Sequence, residues 1–234
     1  MATRLVLAEL TAAYTARSGQ AVAIESVGGV DAAKRVACGE AFDVVILASD
    51  AIDKLIAAGH LRPGRVDLVR SGVAACVREG SPVPDLSNEA AVKSAVLAAE
   101  RISYSTGPSG VALQKLFERW GMADAVAGKT VQAPPGVPVA SLVAKGEVAL
   151  GFQQLSELLN VPGITIVGPL PEAIQIVTVF SAGITANTAR ADAVRALLDF
   201  MNTPEADAAK QRQGMSAAAR VFPTPEHPKE TPCH

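Results

Sequence analysis

The segment 104–110 constrains the fold of this chain more than any other, because small residues there join a strand pattern to a helix pattern. Residues 101–104 predict a short strand, and the apolar spacing from Val111 to Phe117 predicts a helix. The turn between them, Ser-Thr-Gly-Pro-Ser-Gly, leaves free backbone N–H groups and the positive end of the helix dipole beside several hydroxyls. Such a turn is suited to bind an anion, although Ser109 is also the residue type that a plain helix N-cap requires.

Two further turns with small residues follow predicted strands. The alternating segment 21–25 predicts a strand that ends in the turn Ser-Val-Gly-Gly at 26–29. The continuous apolar run 43–47 is typical of a buried parallel strand, and it ends shortly before Ser49. Helical patterns follow both turns. Three such strand ends are what an open α/β sheet presents to a ligand at its carboxyl edge.

The alternation of strands and helices continues in two series, which two long predicted strands at about 67–78 and 174–185 connect. We therefore expect two α/β lobes with a ligand between them, and we expect the long strands to be the hinge crossings. The predicted boundaries place residues 1–72 and 182–218 in the first lobe and residues 73–181, as an insertion, in the second. The Pro-rich segment 219–234 predicts a disordered tail.

The composition excludes several classes of protein. The formal net charge of this 234-residue chain is −2, and its Lys, Arg, Asp and Glu residues are interspersed. No basic patch alternates with aromatic residues, which argues against a nucleic-acid partner. No apolar run approaches the ~20 residues of a membrane span, and neither of the usual glycine-rich nucleotide motifs occurs.

Cysteine and histidine give no sign of a metal or redox centre. Cys38, Cys76 and Cys233 are widely spaced without a C-x-x-C pair, and the histidines are scattered. An odd number of cysteines without a pattern argues against a disulfide framework or a zinc site. We therefore predict no metal and no cofactor, and we expect Cys38 and Cys76 to be buried as small apolar side chains.

Several motifs along the chain form a series whose order and spacing are more specific than any one of them. They occupy residues 39–47, 70–74, 80–85, 104–105, 109–110, 144–159, 161–163, 168–171 and 200–206. This series resembles the bacterial extracellular solute-binding proteins related to the periplasmic molybdate-binding protein, over roughly residues 3–215. The resemblance implies a type II periplasmic-binding-protein fold, a periplasmic location, a small anionic ligand and the permease of an ABC transporter as a partner. We expect a monomer.

The sequence departs from the family pattern at its start. Members of the family begin with a signal peptide and a strand whose end supplies a Ser-containing ligand loop before the first helix. Here a helical pattern begins almost at once, at Thr3, and extends to Arg17. The resemblance therefore implies that the first strand and the leader are missing from this sequence, which would remove one wall of the site.

The candidate ligand residues lie at strand ends, helix starts and strand crossings. They are Ser26, Gly28, Gly29, Ser49, Arg70, Ser71, Tyr104, Ser109, Gly110 and Gln154. The resemblance places Gln154 nearest the position of a ligand-binding Tyr in the molybdate-binding protein. Arg70 offers a planar fork that suits a carboxylate, although a surface Arg at a lobe edge is an equally good interpretation. An inward-facing Arg70 would favour an organic carboxylate over a tetrahedral oxyanion.

Two functions of different classes fit this pattern. The first is a non-enzymatic binding protein that closes two lobes around a small anion for uptake. The second is an isomerase of small polycarboxylates, since proteins resembling this family include an aconitate isomerase. Isomerisation requires a base and an anion clamp near the reacting carbon. The candidate bases are Glu25, Glu157 and the hydroxyl of Tyr104, with Arg70 holding a carboxylate.

Overall fold

The computed structural model describes residues 2–134 and 136–218. The helices are α1 (Arg4–Ser18), α2 (Gly29–Ala37), α3 (Ser49–Ala57), α4 (Glu89–Ala98), α5 (Pro108–Arg119), α6 (Ala123–Ala127), α7 (Val139–Ala144), α8 (Leu155–Leu158), α9 (Ala191–Met201) and α10 (Pro204–Arg212). The strands are β1 (Val44–Ala48), β2 (Val66–Arg78), β3 (Ile102–Tyr104), β4 (Thr130–Gln132), β5 (Leu150–Gln154), β6 (Ile164–Pro169), β7 (Val177–Ile184) and β8 (Met215–Ala217). A short 3₁₀ helix, Glu172–Ile174, precedes β7.

The long strand β2 belongs to two sheets. The strand order is β1-β7-β2-β5-β3-β4, and β6 and β8 pair with β2 as well. From Val66 to Gly72, β2 pairs with β7, and from Val73 onward it pairs with β5. The chain therefore has the predicted α/β fold of two lobes joined by crossing strands. The lobe boundaries at 72/73 and 181/182 stay a prediction, and the predicted disordered tail at 219–234 lies outside the described residues.

Each sheet is covered by helices with apolar faces. In α9, Val194, Leu197, Leu198 and Met201 are buried at helical spacing, as expected for a helix that packs one stripe against a sheet. They join α1, β2 and β7 in one core cluster. Helices α2 and α3 cover β1 in a second cluster. Two further clusters lie on the opposite faces of the sheet that contains β3 and β5, so both lobes have their own apolar core.

The strand predicted at 21–25 is wrong, because these residues take part in no strand pairing. Within the described residues, β1 is the edge strand of the first sheet and pairs only with β7, not with this segment. Side chains hold it instead. The Tyr14 hydroxyl donates to Gln20 Oε1 at 3.1 Å, and Arg35 donates to both oxygens of Glu25 at 2.7 and 2.9 Å.

Other differences from the sequence predictions concern pairing and exposure. The sequence predicts a parallel strand at β1, and this prediction is wrong. The neighbour of β1 is the crossing strand β7, which runs in the opposite direction, so the pairing is antiparallel. The short elements α6 and β8 were missed, because five and three residues carry too little periodicity to be recognised. Cys76 is buried as predicted. The prediction for Cys38 is wrong: it is the C-cap residue of α2 and is exposed.

Candidate functional site

Three parallel strands bring their carboxyl ends to one edge of the second sheet. Strand β3 pairs with β4 on one side and β5 on the other, with Tyr104 in register with Gln132 and Phe152. The turn before α5 and the start of α8 therefore leave the sheet at the same edge. In an open α/β sheet this edge is where ligands bind.

The turn before α5 forms a compact polar corner. The hydroxyl oxygens of Ser105 and Ser109 are 3.5 Å apart, and Ser109 is buried. The N–H groups of Gly110 and Val111 both donate to the carbonyl of Gly107, at 3.0 and 3.1 Å. A Cβ at position 110 would lie 1.8 Å from the carbonyl oxygen of Ser105, so only glycine permits this close approach of the backbone. Ser109 and Gly110 are thus brought together at the start of α5.

Tyr104 lies beside this corner but faces the core. Its ring packs edge-on against Phe117, with 6.3 Å between the ring centroids. Its hydroxyl accepts a hydrogen bond from Gln114 Nε2 at 2.9 Å. Tyr104 therefore packs against α5 beneath the turn, and its hydroxyl is hydrogen-bonded to Gln114 of that helix.

A buried polar cluster lies where the crossing strands meet the second sheet. Ser71 is in register with Thr178, and Gln154 Nε2 donates to the Thr178 hydroxyl at 2.8 Å. Within residues 2–134 and 136–218, the Ser71 hydroxyl and Gln154 Oε1 are buried without a hydrogen-bond partner, and so is the hydroxyl of Ser156. Buried polar atoms normally have partners, so these atoms mark a place where a ligand or a conformational change would supply them.

Arg70 lies on the other face of β2, because side chains alternate along a strand. It is exposed, it is in register with Val179, and no side chain of the described residues forms an ion pair with it. Phe180 pairs with both Val69 and Ala48, the last residue of β1. Arg70 is therefore one residue beyond the level of Ala48, on the far side of β7 from β1. Ser49, which follows Ala48, begins α3.

The corresponding turn of the first lobe is more open. Ser26 and Gly29 are exposed, and Gly28 is the N-cap of α2 with a ψ of 143°. A groove of about 760 Å³ lies between α1 and the extended segment before this turn. Small side chains of α1 line one wall and Val22, Ile24 and Ser26 line the other, so the turn borders an open groove rather than a packed sheet edge.

The two candidate carboxylates differ in their electrostatics. Burial raises the pKa of Glu157, on α8, above the usual value of 4.5, and a hydrogen bond with Gln153 opposes that rise in part. The hydrogen bonds from Arg35 lower the pKa of Glu25, which is exposed. A general base works best with a pKa near the working pH, so the shift of Glu157 is toward that range and the shift of Glu25 is away from it.

Comparisons with known proteins agree with this architecture. A family model described as bacterial extracellular solute-binding protein matches residues 1–216. The chain belongs to this family. An aconitate isomerase of a Pseudomonas species is 40% identical to it over 183 residues, which are 77% of this chain and 70% of that protein.

Solved structures of low sequence identity share the fold of this family member. The periplasmic molybdate-binding protein of Azotobacter vinelandii superposes with a TM-score of 0.75, at 22% identity, over 95% of this chain and 96% of its own. A tungstate-binding protein of Desulfovibrio alaskensis superposes with a TM-score of 0.68, at 15% identity, over 92% of this chain and 93% of its own. The predicted type II fold is therefore confirmed.

No helix in the described part of the chain is long and apolar enough to cross a membrane. No group of three or more His, Cys, Asp or Glu side chains in the same residues is placed to hold a metal ion.

Sequence reasoning missed two residues of the polar cluster. Thr178 lies inside a strand and Ser156 inside a four-residue helix, and neither position is a turn. The available signal was polarity in an otherwise apolar setting, since Thr178 is followed by Val179 and Phe180 in a crossing strand. Ser156 is near Gln154 in the chain, whereas the contact of Thr178 with Gln154 depends on the packing of segments far apart in sequence.

Proposed function

We propose that this protein binds a small organic polycarboxylate between its lobes, as a solute-binding protein. The observation that carries the proposal is the exposed Arg70, which lies one register step beyond the last residue of β1, across the intervening strand β7, at the level where α3 begins at Ser49. A guanidinium holds a carboxylate through two parallel hydrogen bonds, and the N-terminus of a helix adds a favourable partial positive charge. The corner at Ser109 and Gly110 on the other lobe would bind a second carboxylate of the same ligand.

The relatives support an anion and favour a carboxylate. The molybdate- and tungstate-binding proteins that share the fold are named for small anions. The relative with the higher identity is named for aconitate, a polycarboxylate. Gln154 is nearest the position at which the resemblance places a ligand-binding Tyr, and its Nε2 donates to the Thr178 hydroxyl while its Oε1 has no partner among the described residues. This difference argues for a ligand unlike molybdate.

The test is a thermal-shift screen with cis-aconitate, trans-aconitate, citrate, succinate, molybdate, tungstate and sulfate. A ligand that binds only the folded state raises the melting temperature in proportion to ln(1 + [L]/Kd). We expect a polycarboxylate to give the largest shift. A shift with molybdate or tungstate and none with any carboxylate would contradict the proposal.

Arg70→Lys tests the role assigned to the guanidinium. Lysine keeps the charge but loses the planar fork, so we expect the affinity for the polycarboxylate to fall about tenfold or more, which is about 1.4 kcal/mol or more in binding free energy. Arg101→Lys, at an exposed position just before β3, is the matched control and should bind normally. Equal affinities of the two variants would remove Arg70 from the site.

A second candidate function is isomerisation of aconitate in the same cleft. Glu157 is the specific observation that favours it, because its raised pKa suits a base that removes a proton from an allylic carbon and returns one at the other end of the double-bond system. Activity should rise as the pH rises through the pKa of Glu157. We expect Glu157→Gln to abolish isomerisation and to keep ligand binding, as measured by NMR of aconitate and by thermal shift.

The raised pKa of Glu157 also predicts the pH dependence of stability. The folded protein holds this proton more tightly than the unfolded chain, so the group lowers stability as the pH rises from about its ordinary value of 4.5 through its raised pKa. Glu157→Gln should therefore be more stable than the parent protein at neutral pH, and the two should converge at acidic pH. Urea unfolding at a series of pH values measures this difference, and a variant less stable at neutral pH would contradict it.

The location and the partner are part of the same proposal. A protein that captures a polycarboxylate for uptake would act in the periplasm and present the closed form to the permease of an ABC transporter. Membranes prepared from cells with and without a candidate permease would test this by ligand-dependent binding. We expect binding only in the presence of both the permease and the polycarboxylate.

A further inference from the structure

One side chain ties together the backbone segments that join the two lobes. Gln175, between the 3₁₀ helix and β7, is half-buried. Its Oε1 accepts from the N–H of Val73 at 3.0 Å and from the N–H of Ile176 at 2.9 Å, and its Nε2 donates to the carbonyl of Leu170 at 3.0 Å. Both polar atoms of the amide are therefore bonded to backbone, and the three bonded residues belong to three separate parts of the junction.

These contacts coincide with the point where β2 changes sheets. Its pairing with β7 ends at Gly72, and its pairing with β5 begins at Val73. The backbone of Val73 also donates to Ile176 O at 3.1 Å and accepts from Leu170 N at 3.1 Å. The amide of Gln175 thus reinforces a junction of three chain segments at the place where a regular β-ladder is interrupted.

Gly72 leaves the space that the amide requires. A Cβ at position 72 would lie 3.3 Å from both Cδ and Nε2 of Gln175, which is tighter than ordinary van der Waals contact. The pair of Gly72 and Gln175 therefore has a steric and a hydrogen-bonding component. The hydrogen bonds of Gln175 go to the backbone of Val73, Leu170 and Ile176 and not to Ser109 or Arg70.

The geometry points to Gln175 as a hinge clamp, meaning the side chain that fixes the direction of the crossing strands and so limits the range of angles between the lobes. A backbone N–H that loses its acceptor gains local freedom, and Ile176 has Gln175 Oε1 as the acceptor of its N–H. Without the amide, the junction would bend over a wider range. A cleft that is preorganised less well binds its ligand more weakly, so Gln175 would act on affinity without touching the ligand.

Two variants separate the parts of this role. Gln175→Leu keeps the approximate shape and removes all three hydrogen bonds. Gln175→Glu keeps the acceptor for Val73 and Ile176 but replaces the donor to Leu170 with a carboxylate oxygen, which the carbonyl of Leu170 repels. In Gln175→Leu we expect amide exchange at Ile176 to be about tenfold faster, and in Gln175→Glu we expect it to stay close to that of the parent protein. Gln211→Leu, at an exposed position on α10, is the matched control and should change neither.

The lobe angle is measured without ligand by the distance between spin labels at Lys54→Cys on α3 and Lys115→Cys on α5, with Cys38 and Cys233 replaced by Ser. Both label positions are exposed, and the remaining Cys76 is buried. We expect a broader distance distribution in Gln175→Leu than in the parent protein. An unchanged or narrower distribution, or an unchanged exchange rate at Ile176, would overturn the assignment.

A third measurement connects the hinge clamp to binding and rests on the proposed function. We expect Gln175→Leu to release cis-aconitate several-fold faster than the parent protein, with Gln175→Glu closer to normal. If the parent protein binds no polycarboxylate, the proposed function fails, while the exchange and distance measurements still decide the role of Gln175. If binding is normal in Gln175→Leu but the distance distribution broadens, the clamp stands and only its effect on affinity is wrong.

Discussion

Each lobe has a turn of small residues before a helix, and the two turns differ in whether a paired strand precedes them. The turn before α5 follows β3, which has a parallel neighbour on each side, and its Ser109 and Gly110 are buried. The turn before α2 follows the extended segment 21–25, which has no strand neighbour, and its Ser26 is exposed. Turns of similar small residues thus form a buried polar corner in the second lobe and an exposed turn in the first.

From this contrast we expect a turn to orient a ligand well only when the strand before it is paired with other strands. A helix N-terminus provides N–H groups wherever it occurs, but their direction depends on the strand that leads into the helix. In the second lobe that direction is set by the sheet and by the close contact of Gly110 with the backbone of Ser105. In the first lobe it is set by surface ion pairs around Arg35. We expect the second lobe to dominate ligand orientation.

Alanine at the two helix starts gives the largest expected difference between the turns. Gly110→Ala places a Cβ 1.8 Å from the carbonyl oxygen of Ser105, so the backbone must move, and we expect a loss of at least about 2 kcal/mol in the free energy of unfolding. Gly29→Ala, the matched change at the start of α2, meets nothing closer than 3.8 Å and should alter stability by no more than about 0.5 kcal/mol. Urea unfolding measures both. Equal losses in the free energy of unfolding would show that the two turns tolerate a Cβ equally well.

The same contrast explains what could be predicted from the sequence. The strand predicted at 67–78 is confirmed as Val66–Arg78, a long segment rich in β-branched and small apolar residues. The strand predicted at 21–25 rests on five alternating residues and lacks a paired neighbour, and the pattern of one segment carries no information about its partners. For the site, turn residues such as Ser109 were recognisable from their neighbours. The partners of Gln154 and Gln175 were not, since both depend on pairing between distant strands.

Serine-to-alanine changes at the two turns test their share in binding. Ser109→Ala removes a hydroxyl from the buried corner, and we expect the affinity for the anion to fall by ~1.5–3 kcal/mol if that hydroxyl donates to it. Ser26→Ala removes an exposed hydroxyl from the open turn and should cost less. Isothermal titration with the polycarboxylate identified by thermal shift gives both values. A larger loss of affinity for Ser26→Ala than for Ser109→Ala would mean that the first lobe contributes more to binding than the second.

The smallest expected effect concerns the ion pairs that hold the open turn. Arg35 bonds Glu25 and Glu40 and lies over the ring of Phe42, with 4.9 Å from the guanidinium carbon to the ring centroid. Exposed ion pairs contribute little to global stability, so Arg35→Gln should leave the unfolding midpoint nearly unchanged. It should instead lower the NMR order parameters of residues 21–25. Arg195→Gln, which breaks an exposed pair within α9, is the control and should leave that segment unaffected.

The pH dependence of this segment provides an independent check of the same ion pairs. The hydrogen bonds from Arg35 lower the pKa of Glu25 and of Glu40 below 4.5, so the pairs persist above that value and are lost as the pH falls through the lowered pKa values. In the parent protein, the order parameters of residues 21–25 should therefore fall on acidification. In Arg35→Gln they should already be low at neutral pH and change little. A segment that stays rigid in both proteins would mean that contacts with α1, such as the hydrogen bond from Tyr14 to Gln20, suffice to hold the open turn.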